Sequence, residues 1–323
     1  MRLPRRLVLG APLAVALAGR AFAQSYPDKP VRLVVPFAPG GNADLTGRLF
    51  GEALAKRLGQ QVVIDNRGGA GGAIGAEQVA KASPDGYTIV LGSTGTFLVS
   101  PRMTGGREPY TLKDFAPVAL LSTSSMVIDV NARNSIKDWP AMLAYLKANP
   151  GKLAIGHPGN GSTNHLALLR LQRAAGVKFN IIPYKSNGLA LNDLLGGQLD
   201  AVIDQIPTSI GHIREGRLTA VAVTTLKRAR ELPDTPTLAE LGVKDFDAAT
   251  PIVLMAPAAT PAEIVNRLNA AVADAIADPA VGKREAELGA EVEALSPQAL
   301  GAMLQKEDAA IVELAKSGLL KTE

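Results

Sequence analysis

Short apolar runs alternate with stretches of 3.6-residue periodicity along most of this chain. Residues 31–37 (VRLVVPF) predict a strand, and apolar positions recurring at helical spacing over 43–58 predict a helix ending at Gly59. QVVIDN (61–66) and YTIVLG (87–92) are strand-like, with a Gly-rich linker and a short helix near 74–82 between them. APVALLS, from about residue 116, predicts a strand that passes through Thr123–Ser125 to a second one, MVIDVN. The alternation then continues: helix 138–149, strand 153–156, helix 164–175, strand 179–184, helix 187–195, strand 200–204, a helix near 207–215 and strand 218–225. A Pro-rich connection (231–238) leads to PIVLMAP (251–257) and three helices, 261–276, about 280–288 and 297–317. Strand–helix alternation of this kind implies an α/β architecture with largely parallel sheets. The last helices follow a strand with no closing partner, so they are expected to fold back on the first domain.

Composition bounds the chemistry. With 323 residues, 47% of them hydrophobic, the chain can build a large core and two domains. There is no Cys and only three His (His157, His165, His212), so disulfides and thiolate sites are excluded and imidazole metal sites are poorly supplied. The first 23 residues have a basic start, an apolar stretch from Leu7 to Ala18 and the small-residue site Ala21-Phe22-Ala23. That is the form of a secretory signal cleaved after Ala23, and Arg5-Arg6 leaves both the general secretory and the twin-arginine routes open. Four of the 34 basic residues lie in it, so the remaining 30 balance 30 acids and no nucleic-acid footprint is expected.

Catalytic signatures are missing. No G-x-S-x-G, G-x-x-x-x-G-K-[ST] or H-E-x-x-H pattern occurs. Gly69, Gly71 and Gly75 follow the second strand, the wrong place for a dinucleotide loop, and predict a close-approach turn. Asp200 and Asp204 share one strand face but lie roughly 13 Å apart, too far for a carboxylate dyad. Trp139, at a helix start, is expected to pack. Two loops do carry a signal: Pro39-Gly40-Gly41-Asn42 and 157–163 (HPGNGST) each follow a strand and open a helix, with Asn42 and Ser162 as candidate caps. Each sets free N–H groups and a positive dipole end at a sheet's C-terminal edge, a site for a carboxylate or phosphate. Two such loops suggest a cleft gripping an anion from both sides. His165, in the first helical turn, either reaches this cleft or packs, and His157 is placed at the rim.

In order along the chain, VVPFAPGGNAD, VVIDNRGGAGGAIGAEQVAKASPDGYTIVLG, ANPGKLAIGHPGNGSTNHLA, IPYKS and ALNDLLGGQLDAVIDQIP closely resemble the Bug-type solute-binding proteins of tripartite tricarboxylate transporters. The resemblance spans essentially the whole mature chain. It implies a type II periplasmic-binding-protein fold: two lobes, each with a mainly parallel sheet flanked by helices, joined by two crossovers near 122–125 and 250–253. The corresponding division is 1–23 signal peptide, 24–123 with 252–323 lobe one, and 124–251 lobe two. It implies a monomeric periplasmic receptor without enzyme activity, cofactor or metal. Its ligand would be a small organic carboxylate (a di- or tricarboxylate, an amino acid or an aromatic acid), handed to membrane transporter subunits. A sensor feeding a signalling receptor, or a secreted hydrolase using His165 and Asp204, are the alternatives.

Carried over residue by residue, Phe37, Pro39, Gly40, Gly41 and Asp44 match the first-lobe motif, with Asn42 beside them, and Ser93 and Thr94 match that lobe's second loop. Gly159, Asn160, Ser162, Thr163 and His165 match the second-lobe loop. Asp204 matches the strand-end aspartate, which either meets an amino or hydroxyl group of the ligand or caps a loop. Departures are Ala38, Gly68, His157-Pro158, Ser186 and the crossover TPIVL (250–254), with Phe97 at a position that is frequently His and that would make the pocket more apolar.

Overall fold

A computed structural model of the chain describes residues 26–104 and 108–320. The expected signal peptide lies outside the described residues. The chain runs β1 (Val31–Val35), α1 (Asn42–Leu58), β2 (Val62–Asn66), α2 (Ala73–Ala80) and β3 (Thr88–Ser93), followed by a π-helical turn at Gly95–Val99. Next come β4 (Phe115–Asn131), α3 (Trp139–Ala148), β5 (Ala154–His157), α4 (Thr163–Ala175), β6 (Asn180–Pro183) and α5 (Asn187–Leu195). β7 (Ala201–Gln205), α6 (Ile206–Arg214), β8 (Leu218–Val223), β9 (Ala249–Pro257), α7 (Ala262–Ile276), α8 (Pro279–Leu288), β10 (Ala290–Glu291) and α9 (Pro297–Lys316) complete it.

Two lobes share one continuous ladder of strands. In the first, β2, β1 and β3 are parallel, and β3 pairs antiparallel with β9, which pairs antiparallel with β4 from Phe115 to Ser125. In the second, β7, β5 and β6 are parallel, while β4 pairs antiparallel with β7 and β8 over Met126–Asn131. The parallel pairs come from βαβ units, as the alternation requires. The antiparallel ones come from β4 and β9, the strands that join the lobes.

Here the structure departs from the sequence-based expectation of two strands at 116–131. β4 is a single strand of 17 residues. The run Ser122–Ser125 looks like a break because it is polar, yet its backbone stays paired with β9, and Ser122 and Ser124 are fully buried. β10 then pairs with Thr123 and Ser124, so the segment between α8 and α9 closes onto the middle of β4.

In the first lobe, alternate residues of β1 feed two cores. Leu33 and Val35 pack with Phe50 and Leu54 of α1 and Leu268 and Val272 of α7. Val34 faces the other way, toward Phe97 and toward Leu300 and Leu304 of α9. Both sheet faces are therefore covered, and the C-terminal helices do return to the first lobe. Each such fully buried side chain contributes about 2 kcal/mol. The second lobe repeats the arrangement, with Trp139, Met142, Leu168 and Ile203 on one face of its sheet. Phe97 lies in the core edge-to-face with Phe115, ring centroids 5.1 Å apart, so it does not make the pocket more apolar.

Candidate functional site

Where the lobes meet, the C-terminal ends of β1, β5, β6 and β7 bring four helix starts together. The first turn of α1 contributes Gly41, Asn42 and Ala43 to a shared cavity, and that of α4 contributes Ser162, Thr163 and Asn164. α5 adds Ser186 and Asn187, and Gln205 stands at the start of α6. Phe37, Ser93, Pro158, Thr250 and Ile252 complete the wall, around about 340 Å³ that includes space open to solvent. None of these residues carries a charge. First-turn N–H groups have no intrahelical partner, so the cavity presents donors and positive dipole ends without a cation.

The α1 start differs from expectation. Asn42 is not the cap: Gly41 holds that place with extended backbone, and Asn42 is the first helical residue. Its side chain is freed, and both amide atoms are buried without a partner beside the cavity. An unmatched buried amide costs about 1–3 kcal/mol unless something meets it. In α4, by contrast, Ser162 does cap, its hydroxyl accepting from the N–H of His165 at 3.2 Å.

Of the sequence-derived site residues, Phe37, Gly41, Asn42, Ser93, Ser162 and Thr163 line the cavity. Others stand behind it. Asp44 Oδ2 accepts from Gly40 N at 3.1 Å and Arg48 Nε at 3.0 Å, and its Oδ1 accepts from Asn66 Nδ2 at 3.0 Å. Burial pushes the Asp44 carboxyl up, but these hydrogen bonds outweigh it and hold the group below the usual carboxylate range. Asp204 is fully buried behind Asn187, accepting from its Nδ2 and from Gln205 N at 2.7 Å. Burial, then the neighbouring Asp129 carboxyl, hold Asp204 well above that range. His165 packs rather than reaching the cavity: its ring stacks on the fully buried His157 at 4.7 Å and its Nδ1 accepts from Gly161 N at 3.2 Å. Burial lowers His157 to about 3 and His165 to about 4, so both rings are neutral near pH 7. Thr94 is buried beside Glu307, away from the cavity.

Pro39, Gly40, Gly159 and Asn160 form the seam at which the lobes touch. Ala38 N donates to the Lys185 carbonyl at 3.0 Å, and Ser186 Oγ to the Pro39 carbonyl at 3.4 Å. A Cβ on Gly71 would strike the Asn160 carbonyl oxygen, so the glycine-rich turn of the first lobe is a close-approach surface for the second.

Sequence reasoning missed the α5 and α6 starts, Thr250 and Ile252. Asn187, Gln205, Asn164, Thr163 and Thr250 form one hydrogen-bonded layer across the cavity floor. The rule that ligands in open α/β sheets sit at strand C-termini would have flagged the β6–α5 and β7–α6 connections. Neither carries the glycines that drew attention to the other two loops. Among the described residues no cluster of three or more His, Asp or Glu is placed to hold a metal, and no helix is long and apolar enough to cross a membrane.

Two lobes joined by shared strands and meeting over a cavity at convergent helix starts define the type II binding-protein architecture. Residues 47–317 match the family described as the tripartite tricarboxylate transporter family receptor, and the chain belongs to that family of solute-binding receptors. Its fold is similar to that of the periplasmic binding protein BugD (TM-score 0.85, 39% identity, covering 92% of this chain and 100% of that one). It is similar also to MatC from Rhodopseudomonas palustris with bound malate (TM-score 0.85, 33% identity, 92% and 100% covered). R. palustris Rpa4515 with adipate is a third such structure (TM-score 0.86, 34% identity, 90% and 97% covered).

Proposed function

We propose that this protein is a periplasmic receptor that closes its two lobes around a small organic carboxylate and delivers it to membrane subunits of a tripartite tricarboxylate transporter. The observation that carries the reading is the uncharged cavity itself: it is lined by residues at the starts of α1, α4 and α5, and Asn42 among them has a buried amide without a partner. Helix N-termini hold carboxylates without a fixed cation, and a neutral site lets cargo leave again. The malate and adipate held by relatives are of the same chemical class.

On this reading residues 1–23 are an export signal, 24–123 with 252–323 form lobe one, and 124–251 form lobe two. Closure is a hinge movement in β4 and β9, and ligand favours the closed state by touching both lobes at once. The receptor works as a monomer, makes and breaks no bond, and needs no cofactor, metal or nucleic acid. The sequence-derived residues that line the cavity contact cargo, while Asp44, His165 and Asp204 hold those contacts in place.

A matching carboxylate at a hundredfold excess over Kd should stabilise the fold by about 2.7 kcal/mol. Thermal-shift screening of the mature chain against mono-, di- and tricarboxylates, amino acids and aromatic acids tests this. No response to any carboxylate, with stabilisation by nucleotides or sugars, would overturn it.

A further inference from the structure

The hydrogen-bond layer beneath the cavity fixes the orientation of one amide, and that orientation selects among carboxylates. The Ile203 carbonyl can only accept, so the Asn164 atom 2.9 Å from it is Nδ2. Asn164 therefore turns Oδ1 toward Gln205, whose Nε2 donates to it at 2.7 Å and to Thr250 Oγ1 at 3.0 Å. Gln205 is left with Oε1 facing Asn187, and accepts from Asn187 Nδ2 at 2.6 Å. The second hydrogen on that Nδ2 goes to Asp204 Oδ1. Both donors of Asn187 are thus committed. Its Oδ1 remains, in a side chain that lines the cavity, buried and without a partner.

Asn187 therefore presents an acceptor that cannot be exchanged for a donor. Asn42 is different: both its amide atoms are free, so it can offer either. An ionised carboxylate only accepts, so a plain carboxylate leaves Asn187 Oδ1 unmatched in the closed cleft. A hydroxyl on the ligand supplies the missing donor. An ammonium would donate too, but no Asp or Glu lines the cavity, and Asp204 behind Asn187 is held toward its neutral form by burial. Nothing there balances a positive charge.

We infer that the cavity selects a small hydroxycarboxylate over both the matching plain carboxylate and the matching amino acid, with Asn187 Oδ1 accepting from the ligand's hydroxyl. The inference rests on the carboxylate reading above and adds the one group that reading leaves open.

Titration calorimetry on the mature chain with ligands differing at one group tests it: malate, succinate and aspartate, then lactate, propionate and alanine, using both enantiomers where they exist. The hydroxy acid of at least one series should bind about tenfold or more tighter than its two relatives. Asn187→Ala should bring the malate-to-succinate or lactate-to-propionate ratio close to one. A general loosening of the fold would not move that ratio, and Asn42→Ala should weaken both members while leaving it intact. Should Asn187→Ala fail to fold, the wild-type series alone decides. Equal or tighter binding of the plain or amino acids, or a preference that survives Asn187→Ala, would overturn the inference and leave the carboxylate reading standing. Failure of every carboxylate to bind would bring down both.

Discussion

The two walls of the cavity are built from different material. The first lobe offers backbone and apolar surface: Gly41, Ala43, Phe37 and Ile252, with Asn42 and Ser93 as its polar side chains. Its loop is held from behind by an ionised carboxylate, Asp44, tied to Arg48. The second lobe offers side-chain amides and hydroxyls, each oriented by the next, and backed by Asp204, a carboxyl that burial holds toward its neutral form. Backbone N–H groups donate to any carboxylate of suitable shape. A relay of amides with fixed donors and acceptors does not. On the proposed carboxylate reading, the difference gives the first lobe the general grip and the second the selection.

The strongest way to break this contrast is Gln205→Leu, which removes the middle of the second-lobe relay. Asn187 Nδ2 loses one acceptor, and Asn164 Oδ1 and Thr250 Oγ1 lose their shared donor, all in buried positions. The expected cost is about 3 kcal/mol of folding stability, with a parallel loss of ligand affinity. Urea denaturation of the two proteins measures it. A change under about 1 kcal/mol would mean that the relay does not hold the second wall together.

One substitution applied to both lobes sharpens the comparison. Asp44→Asn turns one acceptor into a donor against Gly40 N and Arg48 Nε, or against Asn66 Nδ2, and should cost about 2 kcal/mol. Asp204→Asn keeps an acceptor for Asn187 and Gln205 and removes a carboxyl that is costly to ionise, so near pH 7 it should cost less than Asp44→Asn or even stabilise. The pH dependence has opposite signs. The lowered Asp44 contributes stability above its ordinary value of 3.8 that is lost as the pH falls below it. The raised Asp204 keeps its proton in the fold after the unfolded chain has released it, so its contribution is full below 3.8 and is lost as the pH rises. Relative to wild type, Asp204→Asn should therefore gain stability from pH 4 to 7, and Asp44→Asn should lose it between pH 2 and 5. Denaturation midpoints across these ranges, taken as differences from wild type, decide the matter. Like slopes for the two variants would erase the distinction between the backing carboxyls.

Much of this arrangement is legible in the sequence, because it is local. The αβ alternation, the Ser162 cap and the two glycine-bearing loops each lie within a few residues of their own signal. What was not legible depends on contacts between distant segments. Ser122–Ser125 looks like a break because polarity marks turns, whereas pairing with β9 keeps it in the ladder. Asn42 resembles a cap by type, but Gly41 takes that conformation, and only the folded cleft leaves the Asn42 amide unmatched. Asn187 and Gln205 sit in ordinary strand–helix connections. Their roles arise from Gln205 meeting Asn164 and Thr250, 41 and 45 residues away.

The lobes also meet through backbone beside the cavity, at residues that do not line it, and there the expected effect is smallest. Gly188, in the first turn of α5, has ordinary helical backbone, so alanine suits its own lobe. A Cβ there would come within 2.7 Å of the Gly40 carbonyl oxygen on the other lobe. Gly188→Ala should therefore leave unfolding unchanged or slightly harder, while disfavouring closure and weakening ligand binding about tenfold, which corresponds to about 1.4 kcal/mol. Because closure is common to all ligands, affinity for malate and succinate should fall by the same factor, unlike the loss expected for Asn187→Ala. Calorimetry with both ligands, alongside small-angle scattering to follow the open form, makes the separation. A Gly188→Ala protein that binds as tightly as wild type would show that the seam yields without cost, and that the grip depends on the two walls alone.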